Sequence, residues 1–474
     1  MSTWTVQRTW RWYLLAAAAV TIPFAPAAGQ QTGQDVYQEQ LRLKLDEQLP
    51  EAREIGFDAG GWFSFAFFNY DDAAGRRHRT LRQFQLRGWA SFNMRAVHRA
   101  YVRGLLDWRD WNGGDNPSGE GREDDFNEFI ERAWYQFDLG QLLKNQTGQA
   151  PPVGFRLKVG RQFATIGTAL VLSMPLDMIQ FNVEAGNWEF MALLAKTIRS
   201  SRNIDESFEV ENHQKRCLWG LQATYTGFDR HEPFVYFLSN HDRTSPDPPN
   251  LFQSFKYSSR YLGLGSTGTL WLPNLQYRLE LVGEWGRTYS AGVVSGRDSI
   301  CAMAANAALA YYFRGRMKPK VMFEYIWGSG DRDRAVSSVA TVGGNRNHTT
   351  DHAFNAFGFR DTGIAFSPRI SNIHIYSLGA TCRPLEDLDL FREMEVGTKV
   401  FFYHKSRAAG AISDTTAVND DSWLGWEWDV FCNWRLTSDL AWTIRYGAFQ
   451  PGSAYDGGDK TCRQFLYTGV VLSF

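Results

Sequence analysis

The sequence lacks most of the features that would place it among soluble enzymes or nucleic-acid-binding proteins. Lys+Arg and Asp+Glu total 50 and 51, for a formal net charge of -1, so no overall charge draws the chain to nucleic acid or to an anionic surface. Cysteine is scarce: Cys217, Cys301, Cys382, Cys432 and Cys462 are isolated and odd in number, which gives neither a disulfide framework nor metal-ligand spacing. They read as scattered wall residues. No phosphate loop occurs, and no cofactor or metal is expected. After the N-terminal region, no stretch is long and apolar enough for a transmembrane helix. If the mature chain lies in a membrane, it must lie there as a closed barrel.

Aromatic residues, by contrast, are plentiful at 15%, and glycines number 43, while the mean hydropathy is negative. Trp, Tyr and Phe recur in short bursts separated by Gly, Asn and Asp, as strands joined by turns do. At the N-terminus, Arg8 and Arg11 precede an apolar run from Tyr13 to Phe24, and small residues follow in Ala25-Pro26-Ala27-Ala28-Gly29. This is the pattern of a secretory signal peptide over 1–29. Residues 30–54 are polar with leucines at Leu41, Leu43, Leu45 and Leu49, a periplasmic lead-in. From there to Phe474 one pattern holds, so 55–474 is read as one barrel domain.

That pattern is alternation with a period of two. In Gln83-Phe84-Gln85-Leu86-Arg87-Gly88-Trp89-Ala90-Ser91-Phe92 the even positions are apolar or small, and in Trp426-Glu427-Trp428-Asp429-Val430 the apolar and acidic residues take turns. About eighteen such segments occur, at 56–69, 80–94, 97–109, 125–138, 153–163, 176–184, 188–199, 215–226, 232–241, 257–271, 274–288, 301–314, 319–327, 372–383, 393–404, 423–436, 438–449 and 463–474. Each is near the roughly 10 residues that a tilted membrane strand needs. Links after even-numbered strands are mostly short, with the fourth an exception, and those after odd-numbered strands run from about ten residues to more than forty. Short periplasmic turns and long extracellular loops distinguish a membrane barrel from a sandwich. The last strand, with Leu466, Val470, Leu472 and Phe474 on one face, resembles the closing strand of bacterial outer-membrane barrels and is expected to engage the barrel-assembly machinery. The fold is therefore read as all-β: a monomeric, antiparallel, outer-membrane barrel contacting lipid.

A Lys or Arg on the lipid face costs about 2–4 kcal/mol near mid-bilayer, so alternation assigns charges to the lumen. It places Arg87, Arg103, Arg132, Arg156, Lys158, Arg278, Lys399 and Arg445 inward, with Asp107, Glu128, Glu184, Glu280, Glu284, Glu324, Glu427 and Asp429 beside them. Arginine forks grip carboxylates and nearby acids keep the grip weak enough to release, so the set suggests a channel for acidic saccharides. Inward charges can also simply pair across strands and brace the wall. His98 and His374 have no convincing serine context for a hydrolase, and Asp331 and Asp333 lack the further ligands of a calcium loop.

Several stretches together resemble the alginate export porin family: Phe129-Ile130-Glu131-Arg132-Ala133-Trp134-Tyr135, Leu157-Lys158-Val159-Gly160-Arg161-Gln162, the Asp177 hairpin, Gly328-Ser329-Gly330-Asp331, Leu424-Gly425-Trp426-Glu427-Trp428-Asp429, and Ile444-Arg445-Tyr446-Gly447-Ala448-Phe449-Gln450-Pro451-Gly452. The resemblance implies a large monomeric barrel that carries an acidic uronate polysaccharide through an arginine-rich constriction. It also implies lumen arginines at Arg132, Arg161 and Arg445 and a lumen acid at Asp177. Alternation alone points Arg161 outward, so a bulge near Gly160 is expected. The loop from Asp331 to Arg369 departs from the family pattern, and the near-neutral chain does not demand a polyanion. The channel reading competes with an outer-membrane enzyme acting on lipid or polysaccharide, and with a general diffusion porin or structural barrel.

Overall fold

A strand with lipid on one face and water on the other must pair both of its backbone edges, because hydrocarbon offers no hydrogen-bond partner. The computed structural model describes residues 55–72, 77–116, 124–198, 204, 215–243, 256–289, 297–334, 337–339, 345–347 and 349–474. It meets this requirement with one eighteen-stranded antiparallel sheet closed on itself. The expected signal peptide (1–29) and lead-in (30–54) lie outside the described residues.

In chain order the first strands are β1 (Ile55–Asp72), β2 (Arg77–Met94), β3 (His98–Trp111), β4 (Asp124–Asp138), β5 (Val153–Ile166) and β6 (Leu172–Ala185). Next come β7 (Trp188–Thr197), β8 (Arg216–Tyr225), β9 (His231–Asp242), β10 (Ser258–Thr269), β11 (Leu275–Tyr289) and β12 (Arg297–Tyr312). The last are β13 (Lys320–Gly328), β14 (Ile373–Cys382), β15 (Glu395–Lys405), β16 (Trp423–Arg435), β17 (Leu440–Pro451) and β18 (Arg463–Ser473). Each pairs with its sequence neighbours, and β1 pairs with β18 from Trp62↔Ser473 to Tyr70↔Phe465. Phe474 completes the closure, exchanging backbone hydrogen bonds with Gly61 at 2.9 Å in both directions. The link after β4 holds a helix, α1 (Leu139–Thr147), whose N-cap Asp138 accepts from Gln141 N at 2.9 Å.

The outer face is apolar and uncovered: Leu86, Val102, Leu106, Leu221, Leu264, Leu378, Trp426 and Trp428 are all exposed. Such a belt is tolerated against lipid and not against water. Links after odd-numbered strands are less uniform than expected. The connections 73–76, 167–171 and 290–296 are short because their strands stay paired almost to their ends, β1 and β2 as far as Asp72↔Arg77, β5 and β6 as far as Ile166↔Leu172, and β11 and β12 as far as Tyr289↔Arg297.

Two irregularities shape the interior. Between β3 and β4 the register passes from Arg103↔Arg132 to Gly104↔Ile130, so Glu131 is an extra residue in a bulge. Between β4 and β5 pairing stops at Ala133↔Arg161, while β5 and β6 continue together to Ile166↔Leu172. The upper β5–β6 hairpin therefore leaves the wall and bends into the barrel, where Ile166, Leu170, Val171 and Leu172 are buried with Tyr236 and Val282. Described parts of the long connection 329–372 also fold inward. Phe357 pairs with Leu172, Phe359 N donates to Ala169 O at 3.0 Å, and Ile364 packs among Ala66, Phe68, Leu81, Trp111 and Phe465. Hairpin and loop together partly fill the mouth at the long-loop end.

Candidate functional site: the charged lumen

On β2, β3 and β4 the inward positions bring three arginines to one carboxylate. Arg87 Nε donates to both carboxylate oxygens of Glu131 at 3.0 Å, and Arg103 Nε stands 2.7 Å from its Oε2. Arg132, next to Glu131 in the chain, is 5% exposed. Its guanidinium carbon lies 5.2 Å from the Phe163 ring centroid. Beneath the first two guanidiniums lies the buried indole of Trp62, 5.6 Å from Arg87 Cζ and 5.5 Å from Arg103 Cζ. Towards the long loops a polar ladder continues. Arg87 Nη1 donates to Gln85 Oε1 at 2.7 Å, Gln83 and Gln85 donate to Asp107 at 2.7 and 3.1 Å, and Arg109 pairs with Asp107 at 2.8 Å.

The acids of the facing wall do a different task, holding the inserted segments. Glu280 accepts from Tyr236 OH at 2.6 Å and from Thr168 N at 2.9 Å, and Thr168 Oγ1 joins it to Arg360. Glu284 accepts from Tyr257 OH at 2.7 Å and Asn355 N at 2.9 Å. Glu427 accepts from the backbone N–H groups of Ile364, Ala365 and Phe366 at 2.6, 2.7 and 2.9 Å. Lys399 Nζ donates to loop residue Asp361 at 2.6 Å and stands 3.8 Å from Glu324, which accepts from Arg278 Nη2 at 2.8 Å. Burial raises the Asp361 carboxyl above its ordinary range, against the pull of Lys399. Burial, helped by repulsion from Arg278, brings Arg360 down to about 10, so it stays charged at neutral pH.

Of the residues expected to line the lumen, Arg87, Arg103, Arg132, Arg156, Lys158, Arg278, Glu280, Glu284, Lys399, Glu427, Asp429 and Arg445 lie on inward strand faces. They do not form one ring. Arg156 sits near the short-turn end with Glu184 at 2.8 Å and Asp138 at 3.4 Å, and Glu427 and Asp429 are buried under the inserted loop.

Arg161 and Asp177 differ from expectation. The β5–β6 register is unbroken, so Arg161 shares a face with exposed Val159, and Asp177 shares one with exposed Ile179. Gly160 does have an unusual backbone, with φ of 128° and room for no Cβ beside Ala133 O, yet the faces are not exchanged there. Arg161 stands where β4 and β5 part. It pairs with Asp177 at 2.8 Å and donates Nη1 to Ile130 O at 2.9 Å, occupying a carbonyl at the edge of β4. Glu128 is also corrected: the bulge puts it opposite exposed Leu106, on the outer face.

The bulge explains the residue that alternation missed. Glu131 takes the inward place expected of Glu128, and the runs Phe129-Ile130 and Glu131-Arg132, two apolar then two charged, already break the period. Tyr236, Arg360 and Asp361 were not legible, since their role depends on loops meeting the wall across the barrel. His98 Nδ1 meets Tyr135 OH at 2.6 Å and His374 Nδ1 meets Tyr325 OH at 2.9 Å. Asp331 accepts from Asp333 N and His352 N at 2.8 Å, and Asp333 accepts from Asn347 N at 2.8 Å and Thr349 Oγ1 at 2.9 Å. Those carboxylates brace their own loop.

Comparison with known proteins agrees with this architecture. The sequence profile of the family described as Alginate export matches residues 58–467. No curated protein matches the sequence. Among solved structures, the chain is similar to OccAB1 of Acinetobacter baumannii, with a TM-score of 0.52 at 10% identity over 88% of this chain and 96% of that one. It is similar to the outer membrane protein opdK of Pseudomonas aeruginosa, with a TM-score of 0.52 at 11% identity over 88% and 99%. OccK8 (OprE) of Pseudomonas aeruginosa gives 0.51 at 10% identity over 88% and 98%. At such identities the likeness is one of fold.

Proposed function

The chain belongs to the alginate export family, and we propose that this outer-membrane, porin-type barrel passes acidic, uronate-type oligo- or polysaccharides by passive diffusion through its charged lumen. One observation carries the reading: Arg87, Arg103 and Arg132 converge around Glu131 on the inner wall. A guanidinium fork matches a carboxylate in shape and charge, and several such forks on neighbouring strands let an acidic polymer transfer from one to the next. Glu131 competes for the same forks, which keeps each grip weak enough to release. No covalent step is needed. In the same reading residues 1–29 are removed on export, and the strand ending at Phe474 engages the barrel-assembly machinery.

The test is conductance of the refolded protein in planar bilayers. Wild-type channels carry a current that polyuronates block at lower concentration than neutral dextrans of similar length. A silent barrel, or equal block by both polymers, refutes the reading.

A further inference from the structure

We infer that the inner wall also carries a sugar-stacking track, formed by Trp89, Tyr101 and Trp134 in register with Arg87, Arg103 and Arg132. The inference rests on a saccharide as cargo and deepens that reading by separating what binds the sugar ring from what binds its carboxylate.

Residues two apart on a strand share a face. On β2 the inward pair is Arg87 and Trp89, on β3 Arg103 and Tyr101, on β4 Arg132 and Trp134, and in each the aromatic lies nearer the short-turn end. The arginines and the aromatics form two slanted rows: Arg103 is opposite Arg132 and Tyr101 opposite Trp134, while on β2 each row steps one inward position, so that Trp89 is opposite Arg103 and meets Tyr101 on the diagonal. The rings lie nearly parallel. Trp89 and Tyr101 have centroids 6.1 Å apart at 19°, and Tyr101 and Trp134 have centroids 5.7 Å apart at 21°.

Stacked carbon planes stand about 3.5 Å apart, so these separations imply sideways offsets of about 4.5–5 Å. The rings overlap at their rims like shingles; Tyr101, 7% exposed, is covered and spaces the two flanking indoles, which offer the sugar their ring faces. Trp89 and Trp134 are only half-buried, and glycine at position 60 leaves the indole room, since a Cβ there would come within 3.2 Å of Trp89 Cζ2. At the β5 side Lys158 Nζ stands 3.9 Å from the Trp134 centroid. An electron-rich ring face attracts the polarised C–H bonds of a pyranose as it attracts a cation. An arriving sugar takes the place of the ammonium on the indole, and Lys158 turns to the sugar's carboxylate. A uronate residue, with one ring face and one carboxylate, is the ligand that uses both rows at once.

The experiment measures current block of the full-length channel by three probes: an oligouronate, a neutral dextran oligosaccharide, and citrate, a polycarboxylate without a ring. The variant is Trp89→Leu with Trp134→Leu. It weakens oligouronate and dextran block about tenfold, the loss of roughly one aromatic contact, while citrate block stays at the wild-type level. Trp134→Phe, which keeps a ring, falls between, and it and Trp89→Phe carry the comparison if the double variant does not insert. Oligouronate block unchanged in conducting variants overturns the track and leaves the acidic-cargo reading standing. Block of the wild type by dextran and not by oligouronate leaves the track and overturns the acidic cargo. Block by neither saccharide overturns both.

Discussion

Arg87 and Glu131 are 44 residues apart in sequence, yet Arg87 Nε donates to both carboxylate oxygens of Glu131 at 3.0 Å. The contact exists because one extra residue in β4 turns Glu131 inward. A strand without the bulge would have put that carboxylate against lipid and left the guanidinium of Arg87 without it. The register defect thus builds the charged cluster.

Replacing Glu131 by Gln removes the negative charge at the centre of three arginines. Anion selectivity rises, read as a shift of reversal potential in a salt gradient. The barrel also becomes less stable by on the order of 3 kcal/mol, since a buried ion pair loses one member. A reversal potential equal to wild type would place the cluster outside the conduction path.

The complementary change, Arg87, Arg103 and Arg445 to Ala together, lowers anion selectivity and raises the polyuronate concentration needed for block. Equal selectivity before and after would refute their part in the lumen field.

Arg161→Ala tests the corrected placement. Arg161 pairs with Asp177 on the outer face, so its removal leaves reversal potential at the wild-type value. Its loss is felt instead at the β4–β5 fork, as a lower urea midpoint. A selectivity change as large as that of the lumen arginines would return Arg161 to the channel.

Glu280→Ala removes the acceptor shared by Thr168 N and Tyr236 OH. The inserted tip of the β5–β6 hairpin loosens, and single-channel conductance increases or becomes noisier. Conductance traces matching wild type would show that the hairpin is held without this carboxylate.

Gly160→Ala forces a side chain onto a backbone with φ of 128° beside Ala133 O. The strain costs about 2 kcal/mol, seen as a lower urea midpoint for the folded form on heat-modified gels. A midpoint within error of wild type would show that the rung relaxes without loss.

Period-two alternation with outward residues such as Leu86, Leu106, Trp426 and Trp428 marked about eighteen two-faced strands, and link lengths together with the pattern of the last strand made them a lipid-facing barrel, because each strand must satisfy the same two solvents whatever its neighbours are. It also sent Arg87, Arg103 and Arg445 inward. Parity along one strand, however, carries no information about an extra residue, and so Glu128 and Glu131 exchanged places. The family resemblance, not parity, put Arg161 and Asp177 in the lumen; alternation alone pointed Arg161 outward, and the unbroken β5–β6 register keeps it there. The tasks of Glu280, Glu284 and Glu427 were settled only by tertiary structure, since loop segments from distant parts of the chain supply the N–H groups they bind. Apart from the bulged stretch of β4, the sequence determined which of these strand side chains face away from lipid. Only closure of the barrel and the folding-in of its loops decided which of them meet.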